Sequence, residues 1–299
     1  MLSFTIIIPT YNRPQQIKLC LDALTYIEYP ADSWNVIVVD DGSPKPLDEI
    51  IDPFKHRLNL TLLRKPNAGP ASARNLGAQH AVGEFLAFTD DDCRPHAHWL
   101  RELSVILEKH PAAMIGGYTI NALIDNPYSG ASQLIADIVY RHYNPNPQDS
   151  IFFTSNNMVM SKETFLEIGG FSTLFDKAAA EDRDFCDRWR FSGRKLVYAP
   201  NAIMYHAHHM TLNAYLRQHF NYGRGAYHFH QVRAERGSGS LTTETKFHLN
   251  LANWLIDPIT LSRGLSGKFM TFSLLMMWQA ANAAGYFVEM GRTRFASKR

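Results

Sequence analysis

The sequence predicts an α/β fold: an open, mainly parallel sheet flanked by helices, followed by a helical C-terminal region. Short apolar runs alternate with helical patterns through the first 110 residues, the rhythm of parallel strands joined by crossover helices. Ile6, Ile7 and Ile8, like Val36, Ile37, Val38 and Val39, do not alternate with polar residues, as expected of strands covered on both faces. Beyond residue 210 only helical periodicity remains. The chain of 299 residues is 45% apolar and 19% charged, enough to bury a core and a poor match to disordered, collagenous or coiled-coil chains.

Residues 4–8, 35–39, 60–63 and 84–88 read as strands, separated by helical stretches near 14–26, 70–81 and 96–109. From about 110 to 210 the pattern becomes mixed. A strand is expected over 152–160, a helix from Lys162, a turn at Gly169-Gly170, a helix over 181–191 and a strand over 195–199. Residues 127–147, bounded by prolines, read as an excursion over the surface. The last third carries helical stretches near 211–232, 245–261 and 267–290, interrupted by Gly237-Ser238-Gly239-Ser240 and by Gly264.

Cys20, Cys93 and Cys186 lie too far apart for a zinc module and are too few, and odd in number, for a disulfide scaffold. A reducing, cytosolic compartment is expected. The N-terminus has no basic start followed by a long apolar run, so it does not read as a signal peptide, and the chain is expected to begin inside its fold. The net charge of +2 hides an asymmetry: residues 211–299 carry eleven Lys/Arg against four Asp/Glu, and the preceding residues 19 against 24. A basic tail beside an acidic body points to an anionic contact, a membrane surface or a phosphate-bearing acceptor, although non-specific nucleic-acid binding would give the same asymmetry.

In an open α/β sheet ligands bind beyond the carboxyl ends of the strands. The segments there are Pro9-Thr10-Tyr11-Asn12-Arg13, Asp40-Asp41-Gly42-Ser43, Pro66-Asn67-Ala68-Gly69 and Asp90-Asp91-Asp92. Three adjacent carboxylates repel one another unless a cation or donor offsets them. A hard divalent ion, Mg²⁺ or Mn²⁺, suits a strand-end site with an incomplete protein cage, with a solvated acidic loop as the alternative. Residues 67–77 open a helix with small residues and Arg74 one turn in, a combination that favours an anion. Arg74 bonded to strand carboxylates is the structural alternative.

These segments together resemble the motif series of family 2 glycosyltransferases: Ile8-Pro9-Thr10-Tyr11-Asn12-Arg13, Val39-Asp40-Asp41-Gly42-Ser43, residues 67–77, Phe88-Thr89-Asp90-Asp91-Asp92 and Ala180-Glu181-Asp182-Arg183-Asp184. They stand in the family's order over about two-thirds of the chain. The resemblance implies a GT-A fold, a nucleotide-diphosphate sugar donor, usually uridine-based, a divalent metal, and inversion at the anomeric carbon. Under it Pro9, Thr10, Tyr11 and Asp41 line the base and ribose, with Asn67 and Gly69 beside them, while Arg13 and Arg74 lie near the diphosphate or order that loop. Asp90 and Asp92 become the outer members of an Asp-x-Asp motif, Asp90 near the ribose and Asp92 on the metal, with Asp91 at the variable middle position. Asp182 becomes the general base, and Glu181 a second acceptor-side carboxylate. Without the resemblance, acids at a helix N-terminus need no further explanation.

A late histidine supplies a further metal ligand in related enzymes, and His206, with His208 second, matches that place. Asn156 and Asn157 fall where the family lines the donor-sugar and acceptor cleft; an Asx turn is the alternative. Residues 269–288 run twenty positions without a charge, long enough for a membrane span, yet Gln279, Asn282 and several Ala and Gly dilute it. A packed or oligomer-forming helix and an interfacial membrane helix both remain open.

The expectation is an inverting, metal-dependent glycosyltransferase. Its GT-A catalytic domain would span residues 1–210, with a nucleotide-sugar half over about 1–110 and an acceptor half over about 111–210. Residues 211–299 would position a glycan or lipid-linked acceptor or dock at the cytoplasmic face of a membrane, with homo-oligomers open and nucleic acid not a partner. A retaining transferase of the same fold and a catalytically silent sugar-nucleotide-binding subunit are the rivals.

Overall fold

The computed structural model describes residues 1–175, 179–239, 247–249, 254–255 and 264–296. Their strands are β1 (Phe4–Thr10), β2 (Trp34–Asp40), β3 (Leu60–Arg64), β4 (Phe85–Phe88), β5 (Cys93–Pro95), β6 (Met114–Asn121), β7 (Met158–Ser161) and β8 (Leu196–His206). The helices are α1 (Pro14–Leu24), α2 (Asp48–Ile51), α3 (Pro70–His80), α4 (Trp99–Lys109), α5 (Pro127–Tyr143), α6 (Lys162–Glu167), α7 (Glu181–Phe191), α8 (Leu212–Arg236) and α9 (Gly264–Ala296).

The strands form one sheet in the order β3-β2-β1-β4-β7-β6-β8-β5. The first four are parallel, as the unalternating apolar runs require, and β7 and β5 run antiparallel to their neighbours. From β1 the chain moves outward to β2 and β3, then returns to place β4 on the other side of β1. That reversal opens a crevice at the carboxyl ends of β1, β2 and β4. Every residue of β1 is buried, and the core beneath includes Phe4, Ile6, Ile8, Val36, Val38, Leu103 and Trp99.

The chain divides into two compact units. One comprises Met1–Ala122, Asn146–Asp176 and Glu181–Ala207 and holds the whole sheet. The other comprises Leu123–Pro145, Lys177–Ala180 and His208–Arg299. Its core includes Ile135, Ile138, Tyr215, Trp254, Leu275 and Trp278. Within it α8 and α9 approach closely through glycine: a Cβ on Gly223 would lie 1.9 Å from the Asn282 carbonyl oxygen, and one on Gly285 1.9 Å from that of Phe220.

Residues 127–147 are not a surface excursion. They contain the 17-residue helix α5, which buries Ala131, Ile135 and Ile138. Pro127 sits at the first helical turn, where its missing N–H costs nothing. Asn126 caps that turn, its side-chain oxygen accepting from the amides of Tyr128 and Ser129. The expected strand over 152–160 is confined to β7, because Ser155, Asn156 and Asn157 turn the chain. β6 escaped notice because of Gly116-Gly117, which are dictated by packing: a Cβ would lie 2.1 Å from the Phe153 ring at Gly116 and 2.3 Å from the Ala202 oxygen at Gly117. Most of the helix expected over 245–261 lies outside the described residues. Among the described residues no helix is long and apolar enough to cross a membrane.

Candidate functional site

Directly after β4, the Asp90-Asp91-Asp92 turn meets the loop after β1. Asp91 is 3% exposed. It accepts from Thr10 Oγ1 at 2.8 Å and from Arg13 Nη1 at 2.7 Å, while Arg13 Nη2 donates to Asp92 at 2.7 Å. One planar guanidinium thus forks across two neighbouring carboxylates, a geometry lysine could not supply. Arg74 Nη2 meets Asp90 Oδ1 at 2.6 Å, and His206 Nε2 lies 3.1 Å from Asp92 Oδ1. The repulsion implicit in the sequence is therefore offset by three basic side chains from three separate elements. Burial pushes the Asp91 carboxyl up to about 7, with Asp92 and Asp90 adding to the shift and Arg13 and Thr10 opposing it. Burial works against the charged form of His206, but the hydrogen bond and charge of Asp92 outweigh it and raise its pKa.

Ligand atoms of Asp92, Cys93 and His206 all lie within 4.8 Å of one another. The Asp92 carboxylate suits Mn²⁺ or Mg²⁺ completed by ligand oxygens, and the His206 imidazole favours the transition ion Mn²⁺, so this donor set fits a divalent ion. Cys93 was not foreseen here. It is fully buried, and burial raises its thiol well above the ordinary value, keeping it protonated and a poor ligand.

Beyond β2, Asp41 is held from three directions: Lys65 Nζ donates to its carboxylate at 2.6 Å, and the amides of Ala68 and Gly69 donate at 3.1 and 2.7 Å. Asn67 Nδ2 donates to the Asp41 carbonyl at 2.9 Å. Gly69, at φ +88°, turns its amide inward just before α3, a conformation that favours glycine. Gly42, at φ +84°, also lets the chains approach, since a Cβ there would lie 2.7 Å from the Asn67 nitrogen. Pro9 and Thr10 are buried in β1, whereas Tyr11 is 47% exposed at its end. Lys65 was missed: a basic residue after an edge strand reads as solvated until the fold sets it beside Asp41.

Arg74 joins this edge of the sheet to α7. It is 4% exposed, and besides Asp90 it meets Glu181 Oε1 at 3.3 Å, so the carboxylate-bonding alternative describes it. Asp182 is partly buried beside Glu181, its Oδ1 accepting from the Arg183 amide at 2.8 Å. Burial and the neighbouring Glu181 push the Asp182 carboxyl up to about 7 against the pull of that amide, Arg74 and Arg183. Ala180, immediately before, stands at φ +82°, strained backbone for a residue with a Cβ.

Thr10, Arg13, Asp91, Asp92 and His206 thus form one network, which the Asp90–Asp91 peptide continues to Asp90, Arg74 and Glu181. Asp41, Asn67 and Gly69 form a second, joined to the first where the Asp41 amide donates to the Thr10 carbonyl at 2.9 Å. Asn156 and Asn157 stand apart from both. Asn157 is fully buried: Trp99 Nε1 donates to its oxygen at 2.8 Å, and its Nδ2 serves the Tyr118 and Ala202 carbonyls at 3.1 and 3.0 Å. Its amide is spent on the fold. Asn156 is 8% exposed and accepts from Thr154 Oγ1 at 2.8 Å, the local turn that its position allowed.

The family model described as glycosyl transferase family 2 matches residues 5–182. Over 115 residues the chain is 36% identical to the glycosyltransferase AglE of Haloferax volcanii, covering 38% of each chain. Over 112 residues it is 31% identical to the poly(ribitol-phosphate) beta-N-acetylglucosaminyltransferase TarS of Staphylococcus aureus, covering 37% of this chain and 20% of that one. The chain therefore spans well under half the length of these curated relatives. Among solved structures, the mannosyltransferase PcManGT from Pyrobaculum calidifontis, in complex with GDP-Man and Mn²⁺, superposes with a TM-score of 0.72 at 18% identity, covering 97% of this chain and 87% of that one. TarS residues 1–349 in complex with UDP-GlcNAc give 0.59 at 19% identity, covering 98% and 92%. At such identities the likeness speaks to the fold, an eight-stranded mixed sheet flanked by helices of the GT-A kind.

Proposed function

The chain belongs to glycosyl transferase family 2, and from that premise we propose that it transfers a sugar from a nucleotide-diphosphate sugar to a hydroxyl of a glycan or lipid-linked acceptor, with inversion at the anomeric carbon. The observation that carries this reading is the double contact of Arg74 with Asp90 and Glu181. Through it the acidic turn after β4 and the acidic pair opening α7 become parts of one site.

The donor lies along the carboxyl edge of β1, β2 and β4. The Asp41 carboxylate, fixed by Lys65 and two backbone amides, accepts the N–H of the base, and the exposed ring of Tyr11 offers a face to base or ribose. Arg13 and Thr10 hold Asp91 and Asp92 in place, so the turn is organised before the donor arrives and little order remains to be imposed on binding. Asp92 and His206 are the residues that would hold Mn²⁺ or Mg²⁺, which supplies positive charge to the diphosphate as it leaves.

Asp182 removes the proton from the acceptor hydroxyl. A pKa near 7 makes it a stronger base than an ordinary carboxylate while leaving much of it ionised at neutral pH, and a positioned base contributes about 10²–10⁴-fold. Glu181 stays paired with Arg74 and sustains the raised pKa of its neighbour. UDP-linked sugars are the first donors to test, with GDP-linked ones beside them because PcManGT is in complex with GDP-Man.

The test combines nucleoside-diphosphate release with NMR of the product's anomeric centre, across UDP- and GDP-sugars with Mn²⁺. Asp182→Asn should keep donor affinity and lose at least about 100-fold in transfer. Full transfer by that variant, or a product of retained configuration, would overturn the inverting mechanism.

A further inference from the structure

Helix α9 presents a long apolar face to solvent. Phe269, Met270, Phe272, Met276, Phe287 and Val288 are between 40% and 73% exposed, and residues 269–288 contain no charged side chain. Twenty helical residues extend about 30 Å, so the face far exceeds the scattered apolar exposure of an ordinary surface. It continues into an open groove of about 420 Å³ between α8 and α9, lined by Leu216, Arg217, Phe220, Met277, Ala280 and Ala281.

The charges around this face have one sign. Lys268 stands at one end and Arg292 and Arg294 at the other, all exposed, and Arg217 lies on the groove. The acidic residue of α9, Glu289, is 8% exposed and shared among Arg224 at 2.6 Å, His228 at 2.9 Å and Arg292 at 3.9 Å, so one buried carboxylate leaves the charge around the face positive in excess. Residues 211–299 together carry eleven Lys/Arg against four Asp/Glu.

That pattern discriminates between occupants. A second copy pairing antiparallel through this face would bring Lys268 of one helix beside Arg292 and Arg294 of the other. A parallel pair would oppose each cation to itself. Neither arrangement brings an exposed carboxylate of α9 to these cations, whereas an anionic lipid surface complements the positive excess. The helix also falls short of the apolarity needed to span, so a membrane contact through its exposed face runs along the surface rather than through the bilayer.

We propose that α9 is an interfacial membrane anchor, its exposed apolar face seated at the headgroup–acyl boundary of an anionic phospholipid bilayer with Lys268, Arg292, Arg294 and Arg217 on lipid phosphates.

Flotation of the full chain with vesicles tests this, comparing phosphatidylcholine alone with a phosphatidylcholine–phosphatidylglycerol mixture of roughly 3:1. The wild type should bind the anionic vesicles about tenfold or more tightly than the neutral ones and weaken as salt rises. Phe269→Glu with Phe287→Glu should lower binding by a further factor of about ten or more without moving the melting curve, since both rings are exposed. Lys268→Glu with Arg292→Glu keeps the apolar face and should abolish the preference for anionic lipid. Phe272→Trp adds a reporter on the face to the five native tryptophans, and the emission difference between this variant and the wild type should shift to shorter wavelength when anionic vesicles are added. Absence of wild-type binding to anionic vesicles would overturn the proposal. So would a dimer in solution, measured by light scattering, that the two Phe→Glu changes dissociate.

Discussion

Asp182→Asn removes a negative charge from a place that holds it poorly. Burial and Glu181 push the carboxyl up from 3.8 to about 7 on folding, so an ionised Asp182 strains the native state by at most about 4 kcal/mol. Partial exposure and solvent screening reduce this, and a gain of about 1–2 kcal/mol is the working expectation. The sign follows from linkage. An acid whose pKa is raised on folding binds its proton more tightly folded than unfolded, so its penalty is absent below about pH 4 and grows until pH passes about 7. The asparagine variant should therefore melt about 2–3 °C above the wild type at pH 8. At pH 4 the advantage should shrink to about 0.5 kcal/mol or less, because Asp182 is then protonated in the folded state and close to half protonated in the unfolded one. Thermal denaturation at the two pH values, paired with transfer assays, measures this exchange of activity for stability. An asparagine variant that is no more stable at pH 8, or whose advantage is the same at both pH values, would refute the electrostatic account of Asp182.

Removing Asp92 or His206 by alanine substitution should weaken Mn²⁺ binding by more than about tenfold, read by electron paramagnetic resonance of the free ion. Arg74→Met leaves Asp90 and Glu181 without their shared cation and should cost about 3 kcal/mol in denaturant unfolding, along with most of the transfer activity. Asn157→Ala strips partners from Trp99 Nε1 and the carbonyls of Tyr118 and Ala202. It should cost about 3 kcal/mol of stability, and in the surviving folded fraction it should leave donor affinity unchanged by calorimetry. Gly285→Leu, whose Cβ would meet the Phe220 oxygen at 1.9 Å, should destabilise by about 3 kcal/mol or more. Gly291→Ala, where a Cβ meets nothing within 4 Å, should gain up to about 1 kcal/mol of helix propensity in the same melt.

The parallel half of the sheet was legible because buried parallel strands write themselves as unbroken apolar runs, and Ile6–Ile8 and residues 36–39 did so without ambiguity. Strand-end position then directed attention to Asp41, Asp90, Asp91 and Asp92 before any contact was known. Of the partners of those carboxylates, Arg74 and His206 were within reach of the sequence, whereas Arg13 and Lys65 were not. Nothing local to Arg13 announces a fork across two aspartates 78 and 79 positions away, and Lys65 acquires its meaning only when β2 and β3 lie side by side. Residues 127–147 misled because Asn126-Pro127 signals a turn and a helix start equally well, and only the burial of Ile135 and Ile138 separates the two. Asn157 misled because residue type cannot distinguish an amide that faces a ligand from one that closes three hydrogen bonds inside the fold.

On the proposed function, the carboxyl edge of β1, β2 and β4 holds a nucleotide-diphosphate sugar with a divalent ion on Asp92. The most direct measurement is a thermal-shift titration of UDP- and GDP-sugars, with and without Mn²⁺, on the wild type and Asp92→Ala. A donor at 100 times its dissociation constant should stabilise the wild type by about 2.7 kcal/mol, in a metal-dependent manner that Asp92→Ala abolishes. A folded wild type that no nucleotide sugar stabilises under any metal condition would contradict the claim, as would an equal, metal-independent shift in Asp92→Ala.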